Sequence, residues 1–247
     1  MAHANVGRVI SNEDWSAIMK RFVIGLAGLA VLTGAAGEIN AGIIYPVNNG
    51  FEVPNLGAST FFAFAYRPAA PGWTFTGSTG IAANGSGFTV VGATNGNHDG
   101  TTSTSGQAAF IQAFAGSGFT SNFISQSLSG FSSGFASVTF SIEQRTTIGN
   151  NPIDVKLDSQ DLGTYLASSS SSFNTITTPL VAVTAGSHTL YFISTNNAGV
   201  DVTQFIDNVS VTNNVAGAVP EPASLTLFGL ASMSLLGYGW RRRKAAA

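Results

Sequence analysis

Between residues 42 and 219 the apolar positions recur at every second residue rather than every third or fourth. In 136–145, Val138, Phe140 and Ile142 fall on one side, and Thr139, Ser141 and Glu143 on the other. That is the signature of a β-strand with one face buried. In 154–158, Val155 and Leu157 oppose Asp154, Lys156 and Asp158, and 187–194 and 205–212 alternate in the same way. Gly72–Thr76, Gly87–Gly92 and Gln107–Phe114 predict shorter strands. Ser159-Gln160 predicts the turn of a hairpin that joins 154–158 to 162–165. Gly or Ser interrupts every candidate helix, and 168–172 is a polar loop after which strand signals resume. Many short strands parted by Gly, Ser and Asn clusters predict an all-β sandwich or barrel, built as one domain over 42–214 with no internal repeat.

The two ends read differently. Met19-Lys20-Arg21 is followed by an apolar run of 11 residues, Phe22–Leu32, and then by Thr33-Gly34-Ala35-Ala36. A charged start, an apolar core and a small-residue cleavage region make a secretory signal peptide over 19–41. As a helix the run spans about 16 Å, too short to cross a bilayer. Cleavage fits after Ala36 or after Ala41, the second being preferred. Residues 1–18 fit neither signal nor domain and read as a non-native extension, with Met19 as the start. At the other end, Val219-Pro220-Glu221-Pro222 precedes an apolar stretch, Ala223–Trp240, and the cations Arg241-Arg242-Arg243-Lys244. Eighteen residues of helix reach about 27 Å, near the lower limit for a transmembrane helix, and the basic tail of 241–244 holds that end in the cytoplasm. The two prolines keep the junction extended and open to a processing enzyme.

Composition narrows the function. The chain is 44% hydrophobic and 9% charged, with no cysteine and a formal charge of −2. The charged fraction lies far below the roughly 25% of ordinary soluble domains and argues against a typical cytosolic enzyme. The scattered cations exclude an electrostatic nucleic-acid binder, and the absence of cysteine excludes disulfides, thiolate nucleophiles and Cys-based zinc sites. With both ends removed, Arg67, Arg145 and Lys156 stand against Glu52, Asp99, Glu143, Asp154, Asp158, Asp161, Asp201 and Asp207, a net charge of −5.

The order of Pro-Glu-Pro motif, apolar helix and basic cluster over 219–244 resembles the PEP-CTERM sorting signal of Gram-negative bacteria. The resemblance implies processing at Pro220, Glu221 and Pro222 by a membrane-embedded exosortase, often in organisms that make exopolysaccharide. It also implies passage through the inner membrane to the cell surface, outer envelope or extracellular matrix. Within the domain, Asn49-Gly50-Phe51-Glu52-Val53-Pro54, Pro71-Gly72-Trp73, Asp154-Val155-Lys156-Leu157-Asp158 and Phe205-Ile206-Asp207-Asn208-Val209-Ser210-Val211 are similar to galactose-binding-like jelly rolls, which recur among carbohydrate-binding modules. That resemblance implies an antiparallel jelly-roll β-sandwich with its first and last strands adjacent.

Candidate chemistry is sparse. Strict alternation along Phe205, Asp207, Val209 and Val211 puts the Asp207 carboxylate on an apolar face, where it needs a cation, good donors or an exposed edge. With so few basic side chains, a hard metal is a reasonable counter-ion. The jelly-roll resemblance implies a structural calcium held by Glu52 and Asp207; the other reading has Asp207 capping a strand-end turn and Glu52 exposed. Gly130-Phe131-Ser132-Ser133-Gly134 matches the nucleophile-elbow pattern, yet a strand rather than a helix follows it. His98 reads as an exposed turn and His188 opens a strand; both are expected in loop or surface roles. Asp154, Asp158 and Asp161 read as a solvated hairpin, and no acid–base pair stands out for glycoside chemistry. Trp73, Tyr66, Tyr165 and Tyr191 are the aromatics available to grip a sugar, with core packing the alternative for Trp73. The sequence as a whole predicts a non-enzymatic exported protein that binds glycan or serves as a matrix unit. The alternatives are a secreted polysaccharide-acting hydrolase and a membrane-anchored structural protein that is not processed.

Overall fold

The computed structural model describes residues 41–57, 60–113, 118–119, 121–146, 149–196 and 201–215, together with 230, 231 and 234. The expected signal peptide up to residue 40, the expected processing motif 219–222, the basic tail and most of the apolar stretch 223–240 lie outside the described residues. The chain divides into two units, Ile39–Ala216 and the paired ends Met1–Glu38 and Gly217–Ala247. Among the described residues of the second unit, 230, 231 and 234 are helical, and the Ser234 hydroxyl donates to the Leu230 carbonyl at 2.7 Å. Among the described residues no helix is long and apolar enough to cross a membrane.

The first unit is all β. Its strands are β1 (Ala41–Ile44), β2 (Phe64–Tyr66), β3 (Thr74–Thr76), β4 (Thr79–Ala83), β5 (Gln107–Ala113), β6 (Phe123–Phe131), β7 (Gly134–Gln144), β8 (Ile153–Leu157), β9 (Gln160–Tyr165), β10 (Asn174–Thr177), β11 (Val181–Val183), β12 (Gly186–Ser194) and β13 (Val202–Val215). They form two antiparallel sheets. The eight-stranded sheet runs β10-β7-β13-β5-β4-β2, with β1 added to β13 and β11 to β7; the five-stranded sheet runs β3-β6-β12-β8-β9. First and last strands are adjacent, Ala41 facing Asn214 and Ile44 facing Val211, as the jelly-roll resemblance implies. A cut after Ala36 leaves β1 whole, and a cut after Ala41 removes its first residue.

The period-2 pattern places the core. Val138, Phe140 and Ile142 of β7 meet Val155 and Leu157 of β8 and Leu190 and Phe192 of β12 between the sheets, all fully buried. Trp73 closes one end of this core and donates its indole N–H to the Asn48 carbonyl at 3.0 Å. The expected hairpin forms one residue earlier than its sequence signal. Leu157 pairs with Gln160, so the turn is Asp158-Ser159, and Asp158 takes the left-handed conformation at φ 54°. Gly130–Gly134 is likewise a hairpin: β6 ends at Phe131, β7 starts at Gly134, and Asn213 bonds the Ser132 N–H and carbonyl.

Two expectations are overturned. Gly87–Gly92 forms no strand. Thr89 sits at φ 61°, and the stretch turns across the outer face of the eight-stranded sheet, where Phe88 and Val90 join Ala82, Ala93, Ala108, Phe110 and Phe205 in a second apolar cluster. That sheet is therefore buried on both faces in this region, and β4 and β5 are buried at every position. Strands covered on both sides need not alternate, which is why Thr79–Ala83 carries no period-2 signal. Nor is alternation strict along β13. The register with β7 shifts between Asp207 and Ser210, and Asn208 adopts φ 51°. This bulge inserts one residue and switches faces. Val209 and Val211 point into the inter-sheet core, whereas Asp207 lies on the outer face with Phe205.

Gly80 marks the closest approach in the larger sheet. A Cβ built there would stand 1.9 Å from the Ala65 carbonyl oxygen and 2.7 Å from the Phe110 ring, so β2 can pair with β4 only while this position lacks a side chain. Gly80→Ala should cost about 1–3 kcal/mol, as overpacking does, read as a lower urea midpoint. An unchanged midpoint would mean that β2 is not held against β4 in solution.

Candidate functional site

The segment 84–106 between β4 and β5 contains no strand, so its backbone N–H groups have no ladder to join. A buried N–H must still find an acceptor. Three carboxylates supply several of them. The Val91 N–H donates to Glu143 Oε2 at 3.1 Å, and the Thr94 N–H donates to Asp207 Oδ2 at 2.9 Å. The N–H groups of Gly96 and Ser103 donate to Glu52 Oε1 and Oε2, each at 3.1 Å. Glu143 comes from β7, Asp207 from β13, and Glu52 from the connection after β1. All three residues have zero exposure. One covering segment is thus pinned to the sheet by three acids far apart in sequence.

Asparagines complete the attachment. Asn97 Oδ1 accepts the Gly50 N–H at 2.7 Å, Asn97 Nδ2 donates to Asn48 Oδ1 at 2.9 Å, and Asn49 Oδ1 accepts the His98 N–H at 2.7 Å. Outside this network the His98 ring stacks on Tyr45, centroids 3.5 Å apart and planes 8° from parallel.

The electrostatics follow from burial. Desolvation pushes Glu143 up to about 7, opposed by the Val91 N–H; its second oxygen has no partner. Desolvation also pushes Asp207 up to about 7 against the donors of Thr94 and Asn208, and the charge of Glu52 adds to the rise. Glu52 is raised by burial and lowered by the N–H groups around it. Among the described residues the ion pairs are Arg145–Asp201 at 3.0 Å and His188–Asp158 at 2.6 Å, so none of the three pinning acids has a side-chain cation.

Glu52 and Asp207 are both buried under one segment, and the charge of Glu52 contributes to the upward shift of Asp207. The reading of Glu52 as an exposed residue is overturned, because the 94–103 loop folds over it. Every carboxylate oxygen of Glu52 and Asp207 accepts a backbone N–H, and a calcium ion held there would share these oxygens with those donors. Among the described residues no group of three or more His, Cys, Asp or Glu side chains could hold a metal, so backbone or amide oxygens would have to complete the shell.

His188 is a second correction. It is 8% exposed rather than a surface residue, because both ring nitrogens are engaged, Nδ1 with Asp158 at 2.6 Å and Nε2 with the Thr184 carbonyl at 3.0 Å. Two acceptors favour the imidazolium, and the Thr184 carbonyl followed by Asp158 holds its pKa above the ordinary value. Of the candidate aromatics, Trp73 is core. Tyr66 donates its hydroxyl to Gln112 at 2.6 Å, and Tyr165 packs edge-on against Phe140. Tyr191 alone among them lies on the uncovered face of the five-stranded sheet. Glu143 was not singled out by the sequence; within β7 it occupies an ordinary polar position, and the distant segment 84–106 folds back to bond it.

A carboxyl that binds its proton more tightly in the folded chain contributes stability below its unfolded pKa and loses it as pH rises through the folded value. For Glu143 that window runs from 4.5 to about 7. Glu143→Gln, which still accepts from Val91, should flatten part of the fall in urea midpoint across this window. A slope equal to that of the unsubstituted protein would show that Glu143 is ionised when folded.

Among solved structures, the chain is similar to the Stig cyclase Fisc of Fischerella sp. TAU, at 15% identity and TM-score 0.47, over 71% of this chain and 100% of that one. It is also similar to the carbohydrate-binding module TmCBM61 in complex with β-1,4-galactotriose, at 14% identity and TM-score 0.39, over 68% and 97% of the two chains. A family 35 carbohydrate-binding module of Clostridium thermocellum matches at 11% identity and TM-score 0.33, over 56% and 96%. No curated protein matches the sequence. Residues 218–244 match the family model of the PEP-CTERM protein-sorting motif, and the chain is accordingly an all-β domain followed by that sorting motif.

Proposed function

We propose that the protein is exported across the inner membrane, processed at Pro220-Glu221-Pro222 by an exosortase-type enzyme and delivered to the cell surface or extracellular matrix. There the sandwich binds a glycan or serves as a matrix unit and catalyses no reaction. The match of residues 218–244 to the sorting motif carries this reading.

The binding role draws support from the outer face of the five-stranded sheet, over which no other described strand packs. On the outer side of the five-stranded sheet, Tyr191 faces Ser125 on β6 and Lys156 on β8, while Ile193 in the next row faces Phe123 and Asp154. Tyr191 and Phe123 lie 6.0 Å apart, and Asp154 accepts from the Thr164 hydroxyl at 2.6 Å. Partly buried rings beside hydroxyl, ammonium and carboxylate groups suit the apolar face and the hydroxyls of a pyranose. Retention of residues 37–219 on a polysaccharide panel should fall about tenfold in Tyr191→Ala, the effect of losing roughly 1.4 kcal/mol. Retention on no polysaccharide would favour the matrix role. Turnover abolished by one carboxylate substitution would replace both with the hydrolase reading.

Glu52 and Asp207 would hold a structural calcium, which supplies the charge the buried pair lacks. Chelator should lower the melting temperature and calcium restore it, with Asp207→Asn losing the response. Superimposable melts with chelator and with calcium would remove the site.

A further inference from the structure

Both chain ends leave the sandwich at one place. Ala41 at the start of β1 pairs with Asn214 near the end of β13, and Val215 at that end pairs with Gly134 of β7. The outer face of the eight-stranded sheet at this place lies on the far side of the β13 bulge from Phe205 and Asp207. Side chains there alternate with the core residues Ala136, Val138, Val209 and Val211, so Ile43, Phe135, Thr212 and Asn214 point outward together. Ile43 is 57% and Phe135 49% exposed. Residues 41–44, 134–139, 174–183 and 210–215, which build this end of the sheet, contain no Asp, Glu, Lys or Arg. In a domain whose net charge is −5, a charge-free zone around two exposed apolar side chains is where desolvation costs least.

The length of the following chain limits what this end can meet. Seven residues lie between Val215 and Ala223, the first residue of the apolar stretch, and the eight Cα–Cα steps between them reach about 28 Å when fully extended. A domain of this size has a radius of gyration of about 16 Å and is roughly 40 Å across. The tether is shorter than the domain is wide. While the apolar stretch is in the bilayer, the end of the sandwich carrying Val215 cannot turn to the far side. The N-terminal signal, until it is cut, leaves from the same edge. An acidic surface held there would be repelled by anionic lipid headgroups; an uncharged one would not.

We propose that this end of the sandwich, with Ile43 and Phe135 at its centre, rests on the bilayer surface for as long as the chain is attached by its sorting segment. Processing then frees it. The proposal depends on the sorting reading, because without a membrane-embedded tail nothing holds the patch at a bilayer.

The absence of cysteine makes a direct test available. Single cysteines are placed in the full-length chain at Phe135, at Ile43 and, as a control on the opposite sheet, at exposed Thr164. Each is labelled with an environment-sensitive fluorophore and reconstituted in phosphatidylethanolamine–phosphatidylglycerol vesicles. Labels at 135 and 43 should emit to the blue of the label at 164 and be quenched several-fold more by spin-labelled lipid. Melting temperatures equal to that of the unlabelled protein verify folding, since all three positions are on the surface. If the chain floats with the vesicles but the three labels are quenched alike, the docking proposal is wrong and the membrane tail stands. If the chain does not float, the tail reading has failed and takes the proposal with it. A blue shift that persists in detergent and is insensitive to lipid quencher would assign the patch to a second copy or to the chain's own tail, and would equally overturn it.

Discussion

The covering segment 84–106 is held to the sheet by buried carboxylates that accept its backbone N–H groups, and the rest of the architecture depends on that attachment. A loop without a ladder is ordinarily left at the surface, because its polar backbone is costly to bury. Here Glu143, Asp207 and Glu52 take the places of sheet acceptors at Val91, Thr94, Gly96 and Ser103. Hydrogen bonds to charged groups are each worth about 1.5–3 kcal/mol net. The cost is three desolvated acids, and the upward pKa displacement of each expresses that cost.

Pinning the segment has a packing consequence. Phe88 and Val90 are delivered to Phe110 and Phe205, so the eight-stranded sheet is sealed on its outer face as well as against its partner. Arg145 joins the same seal from one side, its guanidinium 4.8 Å from the Phe88 ring centroid and bonded to the Gly87 carbonyl. The sparse charge of the domain is therefore partly internal. Its acids are not a solvated coat alone, since three of them are structural acceptors within the fold.

The two sheets divide the work by what covers them. The larger one carries the covering segment over part of its outer face and both chain ends beyond the bulge. The smaller one keeps its outer face open, with Tyr191 and Phe123 among hydroxyls and a Lys156–Asp154 neighbourhood. On the proposed reading, the larger sheet is the one from which the sorting tail leaves, and the smaller is the one that meets the ligand.

What the sequence determined by itself was whatever depends on local period. The strands over 136–145 and 154–158 were legible because alternation with one buried face is a property of neighbouring residues, and the sorting motif of 218–244 was legible because its order of motif, apolar run and basic cluster is linear. Glu52 and Asp207 stood out as a pair only through resemblance. Tertiary structure decided the rest. The bulge at Asn208 moved Asp207 off the face that alternation assigns to it, and the fold of 84–106 back over β7 and β13 turned Glu143 from an ordinary strand position into a buried acceptor. Neither could be read locally, because whether the polar side of a strand meets water is settled by a segment some 50 residues away in the chain, through contacts that leave no period in either stretch.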